Sequence, residues 1–144
     1  MELTEIQKGK INSIGKKHDL RFIIIYGSYA RGEEKKRSDL DLAVYGQEKI
    51  TPEKLSEIFR DLSSVFGDNR DRALDIKSLH NTNPFFRFQV AKDGQLIYGS
   101  PDDYDEYHLY SYRNYNDSRS LLRLRDIMID KRQKHLKEAL KEHG

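Results

Sequence analysis

The chain has 144 residues, the size of one domain with one core. Charged residues make up 35% and the hydrophobic set 36%, so the core is modest and the surface dense in charge, while a formal net charge of +2 gives no strong overall case for a nucleic-acid partner. Cysteine is absent, which excludes a disulfide framework or thiolate metal site, and no apolar run has the length of a membrane span or the pattern of a signal peptide, so a soluble cytoplasmic protein is expected.

Residues 4 to 18 read as a helix. Thr4 and Gln7 fit a capping box, Ile11 and Ile14 give a weak apolar stripe, and Lys16, Lys17 and His18 suit the negative end of the helix dipole. His18 reads as a capping or surface residue. A hydrophobic run, Phe22-Ile23-Ile24-Ile25-Tyr26, follows as a strand and leads into Gly27-Ser28. Gly27 marks a backbone position that comes close to another group or takes a positive φ. Amides at such a turn suit an anion such as phosphate, with the Ser28 hydroxyl beside them. The next loop carries Arg31, Lys35, Lys36 and Arg37 against Glu33 and Glu34. Arg31, nearest the turn, is the cation expected to meet phosphate.

Ten residues after Ser28 comes Asp39-Leu40-Asp41, then Leu42-Ala43-Val44. On a strand Asp39 and Asp41 point to one face while Leu40, Leu42 and Val44 point to the other. Two close carboxylates repel unless a cation lies between them, and hard oxygen ligands suit Mg²⁺. Phosphate cradle and carboxylate pair together are the parts of phosphoryl or nucleotidyl transfer.

Thr51-Pro52 opens a helix whose Leu55, Ile58, Phe59, Leu62, Val65 and Phe66 fall on one face, ended by Gly67. Arg72 to Leu79 reads as a strand with Leu74 and Ile76 on one side and Asp75 on the other, a disfavoured residue for a strand interior. Asn83-Pro84 caps a helix to about Asp93, a turn at Gly94 leads to a short strand from Gln95 to Tyr98, and Ser100-Pro101-Asp102-Asp103 starts a last helical region. That region is crowded with Tyr104, Tyr107, Tyr110, Tyr112 and Tyr115. Asn116-Asp117-Ser118 is expected to break or re-cap it. Leu121, Leu124 and Met128, widened by Leu122 and Ile129, form a stripe, and residues 130 to 144 read as a solvated tail. The alternation in both Asp-bearing strands predicts an α/β (α+β) fold with a small mixed sheet, helices on one face and an open cleft on the other.

The pattern Gly27-Ser28, ten residues, Asp39-x-Asp41 resembles that of the DNA polymerase beta-like nucleotidyltransferases. By chance it is expected in on the order of one in a thousand chains of this length. The resemblance implies a third carboxylate on a neighbouring strand, matched by Asp75. It also implies two Mg²⁺ ions on Asp39, Asp41 and Asp75, with the β- and γ-phosphates of a nucleoside triphosphate at Gly27 and Ser28. The stretch from Asp75 to Tyr98, with Asn83-Pro84-Phe85-Phe86-Arg87 and Gly94-Gln95-Leu96-Ile97-Tyr98, resembles more narrowly the minimal nucleotidyltransferases of the MntA type. For these the resemblance implies an antitoxin that transfers AMP from ATP to a tyrosine of a HEPN-domain RNase toxin, with no nucleic acid required. It divides the chain into a nucleotidyltransferase core at 1–100 and a helical extension at 101–144. Two alternatives stand beside it: occlusion of a partner without catalysis, and nucleotidyl transfer to a small molecule or RNA.

Overall fold

A computed structural model describes residues 1–80 and 82–143, apart from the side chains of 120–122, 124, 142 and 143. Four strands form one mixed sheet in the order β3-β2-β1-β4. β1 (Leu20–Tyr26) pairs antiparallel with β2 (Leu40–Gly46) on one side and β4 (Gln95–Tyr98) on the other, and β3 (Leu74–Ser78) runs parallel to β2. Phe22, Ile23, Ile24 and Ile25 are all fully buried. An interior strand covered on both faces has no use for alternation, which accounts for the unbroken apolar run.

One face of the sheet carries α1 (Glu5–Lys17) and α3 (Pro52–Phe66). The expected capping box is present: Thr4 Oγ1 accepts from Gln7 N at 3.1 Å and Gln7 Oε1 accepts from Thr4 N at 3.0 Å. α3 starts on Thr51, whose hydroxyl accepts from Lys54 N at 3.2 Å, with Pro52 in the first turn where its missing N–H costs nothing. Ile11 and Ile14 of α1 and Ile58, Leu62 and Phe66 of α3 meet Leu40, Leu42, Val44, Leu74 and Ile76 in the main core. His18 does cap α1, but it is no surface residue. Its ring is 3% exposed, with Nε2 2.7 Å from Asp61 Oδ2 on α3, an oxygen that also takes Lys17 Nζ at 2.9 Å. A buried imidazole needs such a partner, and Asp61 supplies it.

The second face is open only at one end. Phe22, Ile24 and Ala43 pack there against Leu79, Val90 of α4 (Pro84–Asp93) and Tyr107 of α5 (Pro101–His143). The residues at the other end of that face are Tyr26, Asp41 and Asp75. The wholly uncovered face expected from strand alternation is thus corrected. Ala43 and Tyr45 share the Asp41 side of β2, and the aromatic cluster of Phe22, Tyr45, Tyr104 and Tyr107 closes over them.

The expected break at Asn116-Asp117-Ser118 is absent. α5 runs for 43 residues without interruption. Each of those three residues lowers helix propensity by only about 0.5 kcal/mol, and no Pro or Gly stands between Pro101 and Gly144 to stop it. Of the expected apolar stripe, Leu121, Leu122 and Leu124 lie outside the described side chains. Ile127, Met128 and Ile129 are exposed, as are Leu136 and Leu140 farther on.

Candidate active site

β1 ends at Tyr26, and the chain turns at Gly27 into the single turn of α2 (Ser28–Arg31). Gly27 has φ +73° and ψ −151°, a region other residues rarely enter. It accepts a hydrogen bond from Arg31 N at 3.2 Å. A Cβ built on it would stand 2.5 Å from Asp41 Oδ2. Both reasons for a glycine anticipated in the sequence, positive φ and close approach, therefore apply at once, and the close neighbour is one of the predicted carboxylates.

Strand register supplies the rest. Asp41 is opposite Tyr26 on β1 and opposite Asp75 on β3. Tyr26, Asp41 and Asp75 thus lie in one row across three strands spaced about 4.8 Å apart. Their neighbours Leu40, Leu42, Leu74 and Ile76 are buried in the main core. The polar row thereby faces the other way. Asp39 sits one residue before β2 and is exposed, so it flanks the row. Among the described residues, no three or more His, Cys, Asp or Glu stand together as a metal-holding group. The fold brings Asp41 and Asp75 side by side and leaves Asp39 at their edge.

The electrostatics match a site short of positive charge. Burial pushes the Asp41 carboxyl above its usual range, and the carboxylates of Asp75 and Asp39 push it further, against weaker opposing pulls from Lys77 and Arg31. Burial likewise raises the Tyr26 phenol, helped by Asp41 and Asp75, so that it stays protonated and can donate. Lys77 Nζ lies 3.9 Å from Asp75 Oδ2 and 5.5 Å from the Phe86 ring centroid, and Phe86 meets Tyr26 edge to face at 5.5 Å. Hard oxygen donors that repel one another fit a divalent cation such as Mg²⁺.

Ser28 is the first residue of α2, beside Gly27. Arg31 closes the turn, with Nε 3.0 Å from Glu33 Oε2 and a terminal nitrogen 3.9 Å from Asp93 Oδ2. Its guanidinium is already engaged by two carboxylates and would share or exchange them on meeting a phosphate. Tyr26 and Lys77 were not anticipated as members of the site. Strand parity held the signal: Tyr26 shares a face with Phe22 and Ile24, and Lys77 shares one with Asp75.

The profile of the family described as polymerase beta, nucleotidyltransferase, matches residues 9–103. A Methanocaldococcus jannaschii protein, MJ1217, provisionally named a protein adenylyltransferase, is 34% identical over 97 residues, which is 67% of this chain and 94% of that one. The protein adenylyltransferase MntA of Aphanizomenon flos-aquae is 28% identical over 113 residues, 73% of this chain and 75% of its own. Among solved structures, a toxin–antitoxin complex with AMP-PNP superposes with a TM-score of 0.68 at 22% identity, covering 86% of this chain and 96% of that one. A chain of the complex between the tri-AMPylated Shewanella oneidensis HEPN toxin and its MNT antitoxin gives 0.64 at 20% identity, covering 90% and 98%.

Proposed function

The chain belongs to the polymerase beta nucleotidyltransferase family, and from that premise we propose that it transfers AMP from ATP to a tyrosine of a cognate HEPN-domain toxin, an RNase, and so neutralises it. The observation that carries the reading is the row of Asp41 and Asp75 on neighbouring strands beside the Gly27 turn. It lies in a chain whose relatives are named protein adenylyltransferases and whose structural neighbours include a toxin–antitoxin complex with AMP-PNP. An ATP-consuming enzyme of this kind works in the cytoplasm, and among the described residues no helix is long and apolar enough to cross a membrane.

The amides of the Gly27-Ser28 turn and the Ser28 hydroxyl take the β- and γ-phosphates of ATP, and Arg31 adds charge at the end of the same turn. Asp39, Asp41 and Asp75 would be the oxygen donors for Mg²⁺, with Asp41 and Asp75 side by side and the exposed Asp39 at their edge. Mg²⁺ held there supplies neutralisation of the triphosphate and a lowered pKa for the acceptor hydroxyl. Asp75 takes the proton of the attacking tyrosine in this reading, with Lys77, 3.9 Å away, steadying it. The Tyr26 phenol, kept protonated, stands opposite Asp41 on the adjacent strand and adds no negative charge to the site. Residues 1–100 form the catalytic core, and 101–144 the extension that meets the toxin. Leu109, Tyr110 and Tyr112, about half exposed on α5, offer the aromatic and aliphatic surface that interfaces favour.

The test is co-expression with the cognate toxin and intact-mass measurement. The wild-type chain adds mass in AMP steps, and Asp41→Asn adds none. Mass addition by Asp41→Asn at near wild-type levels would defeat the assignment. A toxin silenced by an Asp39→Ala/Asp41→Ala chain, with no mass added, would favour occlusion through α5 instead.

A further inference from the structure

A second polar recess lies on the same sheet face, about 13 Å along β2 from Asp41. It is a cavity of about 230 Å³ lined by Tyr45, Leu79, His80, Arg87, Tyr107 and Tyr110. We infer that this recess is a binding site for a small oxyanion of the phosphate class, received by Arg87 and the hydroxyls of Tyr107 and Tyr110, separate from the nucleotide site.

The first observation is an unmet hydroxyl. Tyr107 is 6% exposed and its Oη has no hydrogen-bond partner among the described residues, and the same holds for Ser111 Oγ, one turn farther along α5 and fully buried. The Ser111 hydroxyl is near enough to bear on the acidity of the Tyr107 phenol, yet the two fall short of hydrogen-bond geometry. Folded proteins seldom leave such groups unpaired, and of the two hydroxyls the one on the recess wall, Tyr107 Oη, is available to a guest held there.

The second observation is the character of the lining. Among the described residues no carboxylate lines the cavity. Arg87 spends its Nε on Thr82 Oγ1 at 3.1 Å, which leaves its two terminal nitrogens to donate. His80 Nε2 accepts from Gly46 N at 3.1 Å, and its ring stacks on Tyr45 with centroids 4.5 Å apart. Burial and the positive charges of Arg87 and Lys49 hold the imidazole below its usual pKa, so the ring is neutral with its proton on Nδ1. Donors and positive potential converge without an acidic counterpart. Water could satisfy one phenol, but the volume exceeds what a single water fills and the field favours an anion. Such an anion would tie β2, the β3–α4 connection, α4 and α5 together, and so hold the start of α5 on the sheet.

The test is titration of the full chain with inorganic phosphate, without Mg²⁺ or nucleotide, at ionic strength held constant with chloride. The readout is the His80 ring resonance, assigned with His80→Gln. A saturable shift is expected in the wild type, unchanged in Asp41→Asn and weakened about tenfold or more in Tyr107→Phe and Arg87→Gln, the scale of one hydrogen bond to a charged group. Tyr107→Phe keeps every apolar contact and removes an unpaired hydroxyl, so it should fold. Should Arg87→Gln melt, the Tyr107→Phe comparison decides. No saturable shift in the wild type, equal affinity in Tyr107→Phe, or water alone in the recess of crystals grown in phosphate would overturn the site.

Discussion

Gly27 and Asp41 face each other across the β1–β2 pair so closely that the carboxylate occupies the space a side chain at residue 27 would need. The turn that offers amides and the acid beside it are therefore one unit. Gly27→Ala adds a positive-φ strain of about 1–2 kcal/mol and pushes Asp41 aside. Transfer from labelled ATP is expected to fall about a hundredfold, the usual result of a 1 Å misplacement, in a chain that still folds by circular dichroism.

Asp41 should reveal itself in the pH dependence of stability. Its carboxyl is raised in the fold by burial and by Asp75 and Asp39. The folded state therefore holds the proton more tightly than the unfolded state, and stability falls as pH rises from the ordinary carboxylate range through the raised value. Asp41→Asn removes this penalty. Without divalent cation, the variant should melt at or above the wild-type temperature at pH 7, and the difference should vanish near pH 3. Millimolar Mg²⁺ should stabilise the wild type at pH 7 and leave Asp41→Asn nearly unmoved.

The same substitution should be severe in activity. Asp41 is a proposed Mg²⁺ donor, and losing it removes the neutralisation of phosphate charge that the metal would supply, so turnover should fall by about a hundred- to a thousandfold. Lys77→Met should be milder, about tenfold, since Lys77 touches Asp75 at 3.9 Å from an exposed position. Single-turnover AMP transfer under saturating ATP separates the two.

Asp61→Ala is expected to destabilise the chain by about 1–3 kcal/mol, because it leaves the buried His18 ring without its 2.7 Å partner. Hydrogen bonds from His18 and Lys17 hold the Asp61 carboxyl below its usual value. That stabilisation is present above the ordinary carboxylate range and is lost as pH falls through the lowered value, so the gap between variant and wild type should close in acid. Urea unfolding at pH 7 and pH 3 measures it.

Deleting residues 130–144 should change the melting temperature little, since exposed Leu136 and Leu140 contribute no core contact. Association with the toxin, read by titration calorimetry, should instead weaken in Leu109→Ala/Tyr112→Ala, which removes the α5 surface proposed above.

Much of this was legible in the residues themselves. The capping box at Thr4 and the one-sided face of α3 are local signals and appeared where expected, and the lone acid of β3 lies opposite Asp41 on the neighbouring strand. What stayed hidden depends on which strands become neighbours. Nothing near Tyr26 says that its strand lies against Asp41 in that register, and nothing near His18 announces Asp61, 43 residues away. The length of α5 was obscured for another reason: Asn116, Asp117 and Ser118 look like punctuation, yet their combined penalty is small beside the continuity of the helix around them.

β2 and β3 are joined by parallel pairing across the whole of α3, and the alignment of residue 41 with residue 75 depends on how Leu74 and Ile76 seat beneath it. Sliding β3 by a single residue would turn Asp75 toward the greasy side and lift a leucine into solvent. Natural selection acting on the oily underside of this sheet is thereby acting on its chemistry, and a lineage cannot loosen one without forfeiting the other.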